Sequence, residues 1–223
     1  MADPLNDARS VWQLDLGLVN AFLIDDGTVT LVDAGTPGSV DTLRDEIRDS
    51  GHDITDIDRV LVTHYDVDHV GGLAPLDIET PIYTMEPDAS LLDGSARPSV
   101  TNRKGLVQRL SGVVVDLPDT EVRRLSDGDT VGEFTAYHTP GHTSGHVAFH
   151  HPELETAMLG DLVAESDGSL GTPPWPLARD DSQNDDSVQA LADRDLSFEI
   201  VGMGHGDPLS GGGSDALDTL AKR

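Results

Sequence analysis

The 223-residue chain contains no cysteine, which excludes disulfides, cysteine-ligated zinc fingers and a catalytic thiol. Positive charge is almost as scarce. Fourteen Lys and Arg face 41 Asp and Glu, a formal net charge of −27, and the lysines are Lys104 and Lys222 alone. A surface so short of cations argues against a nucleic-acid partner, whose phosphates require Lys and Arg. Long apolar runs are missing too: nothing approaches the ~18 residues that a membrane span needs. Residues 1–10 are polar and acidic where a signal peptide has an apolar core. A cytoplasmic chain without a membrane partner is expected.

The acidity that remains is short-chained, 32 Asp against 9 Glu. This composition suits concentrated salt, where the screening length falls to ~3 Å and self-repulsion fades. An acidic partner-binding face is the other reading. Hydrophobic residues make up 37% of the chain, below the usual share, yet the apolar runs are strand-like and regularly spaced. A folded single domain over 1–223 is therefore expected.

Potential metal ligands are concentrated in one place. Thr63-His64-Tyr65-Asp66-Val67-Asp68-His69-Val70-Gly71-Gly72 sets four of them within six residues, directly after Val60-Leu61-Val62. A buried strand that ends in such a run reads as a strand-to-helix turn whose side chains converge at the strand's C-terminal end. Three further candidates also follow short apolar runs: His142 in Thr139-Pro140-Gly141-His142-Thr143, Asp161 in Leu159-Gly160-Asp161, and His205 in Gly204-His205-Gly206.

The rest of the chain alternates strand and helix signals. Residues 11–15, 18–24 and 28–32 read as a strand meander around the turn Asp25-Asp26-Gly27. Pro37-Gly38-Ser39 opens a helix with Val40, Leu43 and Ile47 on one face, closing near Gly51. Strands are expected at 59–63, 82–84, 113–115, 121–125, 131–138, 147–150, 156–159 and 198–201, and helices at 87–92, at 187–193 and from Ser214 onward. Residues 93–105 read as a surface loop, and 165–186, with Pro173-Pro174-Trp175-Pro176, as a second segment without regular structure.

In order, His-x-Asp-x-Asp-His, the Thr-Pro-Gly-His turn, the Gly-Asp after a strand and the late Gly-His-Gly resemble the metallo-β-lactamase superfamily of metal-dependent hydrolases. The resemblance covers roughly residues 11–221, and Leu31-Val32-Asp33-Ala34-Gly35 matches the Asp that the family carries after an early strand. It implies an α/β fold, a four-layer αβ/βα sandwich with a metal site at the edge between two mixed sheets. It also implies that His64, Asp66 and His142 hold one divalent ion, that Asp68, His69 and His205 hold another, and that Asp161 bridges them. Asp33 would accept a hydrogen bond from a ligating His ring. Asp68 would orient a metal-bridging hydroxide and carry its proton to the leaving group.

Most members have His where this chain has Asp66. Two divalent ions against three carboxylates leave one net positive charge, whereas His at 66 would leave two. The resulting two-His-one-carboxylate set also suits iron or manganese, although zinc is the first expectation. His138 and His146 flank the His142 turn and read as packing or supporting groups, and His52, His150 and His151 as surface or turn residues. The expected function is a dinuclear hydrolase of a thioester, lactone or similar ester, resembling glyoxalase II-type and lactonase-type members and acting on a small molecule. With only residues 206–223 after His205, the helical domain with which glyoxalase II holds glutathione is not expected, which weakens the thioesterase expectation. A non-haem iron oxidoreductase and a metal-binding module without catalysis are the alternatives.

Overall fold

The structure is a computed structural model that describes residues 2–98, 116–166, 168–173 and 179–223. Its first sheet has seven strands in the order β1-β2-β3-β4-β5-β6-β7. These are β1 (Asp3–Pro4), β2 (Val11–Asp15), β3 (Asn20–Asp25), β4 (Val29–Val32), β5 (Ile57–Leu61), β6 (Ile82–Met85) and β7 (Val122–Leu125). The meander β1 to β4 is antiparallel, and β4 to β7 run parallel. The second sheet comprises β8 (Thr130–Val131), β9 (Phe134–His138), β10 (Val147–His151), β11 (Thr156–Gly160), β14 (Ile200–Met203) and β15 (Leu209–Ser210). A hairpin of β12 (Ala164–Ser166) and β13 (Ser169–Gly171) stands apart.

Period-two alternation explains the layering. Phe22, Ile24, Val32 and Leu61 point from the first sheet toward Phe134, Phe149, Met158 and Ile200 of the second, forming the core between sheets. Their neighbours Leu23, Leu31 and Val60 face the other way, against Leu43 and Ile47 of α1 (Val40–Asp49). On the far side Ala157, Leu159 and Val201 meet Val188 and Leu191 of α5 (Asp181–Ala192) and Leu217 of α6 (Gly213–Ala221). Helix, sheet, sheet and helix make the four layers expected from the sequence. Short helices α2 (Val67–Val70), α3 (Leu73–Leu76) and α4 (Asp88–Leu92) follow β5 and β6.

Several boundaries differ from the sequence reading. Strand β3 starts at Asn20, so Leu18 lies outside it and is 90% exposed. The expected strand 131–138 is broken at Gly132, whose φ is +59°. Helix α5 starts at Asp181, six residues early, because the Asp180 carboxylate caps it by accepting the Gln183 N–H at 3.1 Å. Its first turns are polar and the buried residue there is Asn184, bonded to the Leu162 carbonyl, so no apolar periodicity announced it. The segment 165–186 thus contains β13 and the start of α5, not a structureless loop. The expected strand 113–115, Trp175 and much of the loop 93–105 lie outside the described residues. Among the described residues no helix is long and apolar enough to cross a membrane.

Candidate metal centre

Every candidate ligand leaves a strand end or a turn on one edge of the two sheets. Strand β4 delivers Asp33, β5 delivers Thr63 to His69, β11 delivers Asp161, and β14, parallel to β11, delivers His205. His142 comes from the β9–β10 connection. The sheets are stitched together here by Asn20, whose backbone N–H donates to the Gly204 carbonyl and whose amide donates to the Met203 and Gly206 carbonyls. Val147 N–H also donates to the Thr63 carbonyl at 2.9 Å.

All seven candidate ligands come together. His64, Asp66 and His142 form one group, Asp68, His69 and His205 a second, and His64, His69 and Asp161 a third, each with ligand atoms within 4.8 Å of one another. Asp161 is central. Its Oδ2 lies 3.3 Å from His142 Nε2, 3.4 Å from His205 Nε2 and 4.0 Å from His64 Nε2, while Oδ1 lies 3.4 Å from His69 Nε2. Asp66 Oδ2 stands 3.1 Å from His142 Nε2 and 3.3 Å from His64 Nε2. Asp68 Oδ2 is 3.5 Å from His205 Nε2.

The surrounding hydrogen bonds aim the rings. Asp33, held at φ +58°, accepts from Thr63 N–H at 2.8 Å, from Thr63 Oγ1–H at 2.7 Å and from His69 Nδ1–H at 2.8 Å. Because the Thr63 hydroxyl spends its proton on Asp33, it accepts from His64 Nδ1–H at 3.1 Å. His205 Nδ1–H donates to the Leu18 carbonyl at 2.7 Å. Each of these three rings therefore turns Nε2 toward the cluster, the atom that a cation would bind in place of a proton.

Charge is held here by opposition between burial and neighbours. Burial works to raise Asp161, yet the imidazoles of His69, His205 and His142 keep its carboxyl well below the ordinary range. Burial lowers His69, but the Asp161 and Asp33 carboxylates outweigh it and push the ring well above its usual value. Hydrogen bonds to Asp161 and Asp68 push His205 up to about 10. Burial pulls His142 down. The same cluster that attracts a cation thus attracts protons, and the two compete.

His146 sits closer to the cluster than its sequence position suggests. It is fully buried, donates from Nδ1 to Thr139 Oγ1 at 2.8 Å and accepts the Asp161 backbone N–H at Nε2, 3.2 Å away. Burial, then the neighbouring His64 and His142, lower it well below the usual histidine range, so it stays neutral and orients the Asp161 main chain. His138 faces away, near the Ser144 carbonyl. His150 and His151, expected at the surface, are 7% and 1% exposed, and His151 pairs with Asp26 at 3.1 Å. Adjacent residues of a strand face opposite ways, and β10 is covered on both faces, His151 lying against Phe134 and His150 against Phe198, so both are buried without any apolar signal.

Among known families, the profile of the metallo-beta-lactamase superfamily matches residues 14–205. The chain belongs to this superfamily. It is 29% identical over 212 residues to the uncharacterized protein YobT of Bacillus subtilis (strain 168), covering 88% of this chain and 89% of that one. The probable metallo-hydrolase YflN of the same organism is 24% identical over 233 residues, with coverages of 92% and 86%. Among solved structures, TTHA1623 in a di-iron-bound form is 30% identical with a TM-score of 0.62, covering 85% of this chain and 88% of that one. The superfamily's metal-dependent hydrolases share this sandwich, and the edge where its sheets meet is the place just described.

Proposed function

We propose that the chain is a dinuclear metal-dependent hydrolase acting on a thioester, lactone or similar ester. The observation that carries this reading is the central Asp161, with one oxygen toward His69 and the other toward His64, His142 and His205. The donor set fits divalent ions: His64 Nε2, His69 Nε2 and Asp161 Oδ1 are buried, make no hydrogen bond and face the cluster. Such atoms are costly unless a cation takes their lone pairs. In the proposed assignment His64, Asp66 and His142 would hold one ion and Asp68, His69 and His205 the other, with Asp161 shared between them.

Divalent ions held there would polarise a carbonyl and acidify water. The chain's own residues do the rest. Asp68 is the ligand carboxylate nearest solvent, with about a third of its side chain exposed. Burial would raise it, but the hydrogen bond from His205 and the charge of His69 keep its carboxyl low, hence ionised near neutrality. It would take a proton at Oδ2 from the attacking water and return it to the departing alkoxide or thiolate as the acyl–oxygen or acyl–sulfur bond breaks. Leu18, exposed beside His205, offers an apolar contact to the acyl or alkyl part of the ester.

Iron supports a second reading. Asp66 stands with His64 and His142 in a two-His-one-carboxylate group, a set suited to Fe(II), and a 30% identical relative has been seen in a di-iron-bound form. Elemental analysis of the chain purified without added metal, followed by an ester, lactone and thioester panel, separates the readings. Two zinc or manganese per chain with turnover supports the hydrolase. Iron with oxygen consumption and no hydrolysis overturns it in favour of an oxidoreductase. Silence with both positions filled leaves a binding module. Asp161→Ala should lose metal and most turnover, and full retention of both would contradict the assignment.

A further inference from the structure

Asp88, the first residue of α4, lies outside every ligand-bearing stretch. It is 2% exposed. Its Oδ2 accepts the Tyr65 backbone N–H at 2.8 Å and the Thr143 hydroxyl at 2.7 Å, and its Oδ1 accepts the Gly145 N–H at 3.1 Å. Tyr65 lies between His64 and Asp66, and Thr143 follows His142. One carboxylate therefore ties together the two chain segments that carry the His64, Asp66 and His142 group, across 76 residues of sequence.

Both histidines of the second group are anchored elsewhere. His69 is held by Asp33 and His205 by the Leu18 carbonyl, and neither bond involves Asp88. The fit around Asp88 is close as well: a methyl group at Gly145 would stand 2.7 Å from Asp88 Oδ1 and 2.8 Å from its Cγ. A carboxylate suits the position because it presents two acceptor oxygens to three donors. The isosteric amide of Asn keeps one oxygen, so at least one buried donor would face an NH2 group.

We propose that Asp88 is a positioning residue for one metal position only. It sets the spacing of the His64–Asp66 turn against the His142 turn, and through it the affinity of that position. The inference rests on the two-metal reading above, and its test uses zinc itself, measured by chelator competition in backgrounds that disable one position at a time. In a His205→Ala background, where the His64, Asp66 and His142 position remains, Asp88→Asn should weaken zinc binding by roughly 10- to 100-fold. In a His142→Ala background it should leave the surviving zinc within about twofold of its parent. Thr143→Ala, which removes one of the three bonds and spares the carboxylate, should give a smaller loss in the first background, and Thr143→Ser should restore it.

Equal losses in both backgrounds, or no loss in the first, would overturn the inference while leaving the two-metal reading intact. A wild-type chain that takes up fewer than two zinc ions would overturn both. If Asp88→Asn does not fold, the Thr143 pair alone decides, since a loss that Ser does not rescue speaks against the hydroxyl's bond to Asp88.

Discussion

Adding one methyl group at Gly204 should damage the metal centre directly. Gly204 follows β14, next to His205. A Cβ there would overlap Asp161 Oδ1 and stand 2.5 Å from Cε1 and 3.0 Å from Nε2 of His69. Carbon atoms in contact sit at about 3.5–4.0 Å, so the His69 ring or the β14 end must retreat by about 1 Å. Ligand constellations tolerate displacements of ~0.5 Å. Gly204→Ala should therefore lose roughly 100-fold or more in turnover, with a fold cost of about 1–3 kcal/mol for overpacking. Metal content after dialysis, thermal unfolding and ester turnover would be compared with Gly171→Ala, whose added methyl meets only the Ala164 carbonyl at 3.9 Å. Two tightly held metals and full turnover in Gly204→Ala would refute the placement of Asp161 and His69 around a shared ion.

The electrostatics predict a pH dependence for the chelated chain. Hydrogen bonds to Asp161 and Asp68 push His205 up to about 10 from an ordinary 6.5, so this pairing stabilises fully below pH 6.5 and is lost as pH rises toward 10. Unfolding midpoints in EDTA should fall across that window and fall less with zinc present; a flat chelated profile would contradict the pairing. Zinc uptake at neutral pH should release protons from His69 and His205, visible as a buffer-dependent heat, and a heat independent of buffer would count against it. Asp66→His should shift metal preference toward zinc in competition with iron, and an unchanged metal profile would remove residue 66 from the ligand set. The net charge of −27 predicts a rise in unfolding temperature between ~0.1 and ~1 M salt, as the screening length drops from ~10 to ~3 Å; full stability in dilute buffer would refute it.

Legibility differed from part to part of the chain. The ligand run from His64 to His69 was readable because it is local: a strand end followed by a turn places four side chains within six residues. Asp161 and His205 were readable because each stands just past an apolar strand, and His142 because it sits in a Thr-Pro-Gly-His turn. Asp180 and the polar first turns of α5 were not, because a side-chain cap and a buried Asn184 leave no hydrophobic period to detect.

The sequence by itself determined the strand and helix periods and the order of the motifs, which are local properties of the chain; the four layers and the ligand set were what the resemblance carried by those motifs implied. Tertiary structure decided what surrounds those ligands. His146 reaches the Asp161 main chain from 15 residues away, Asn20 joins β14 from 183 residues away, and Asp88 meets Thr143 from 55 residues away. Each is a buried polar group whose partner is chosen by where the two sheets abut, and no spacing along the chain encodes that distance.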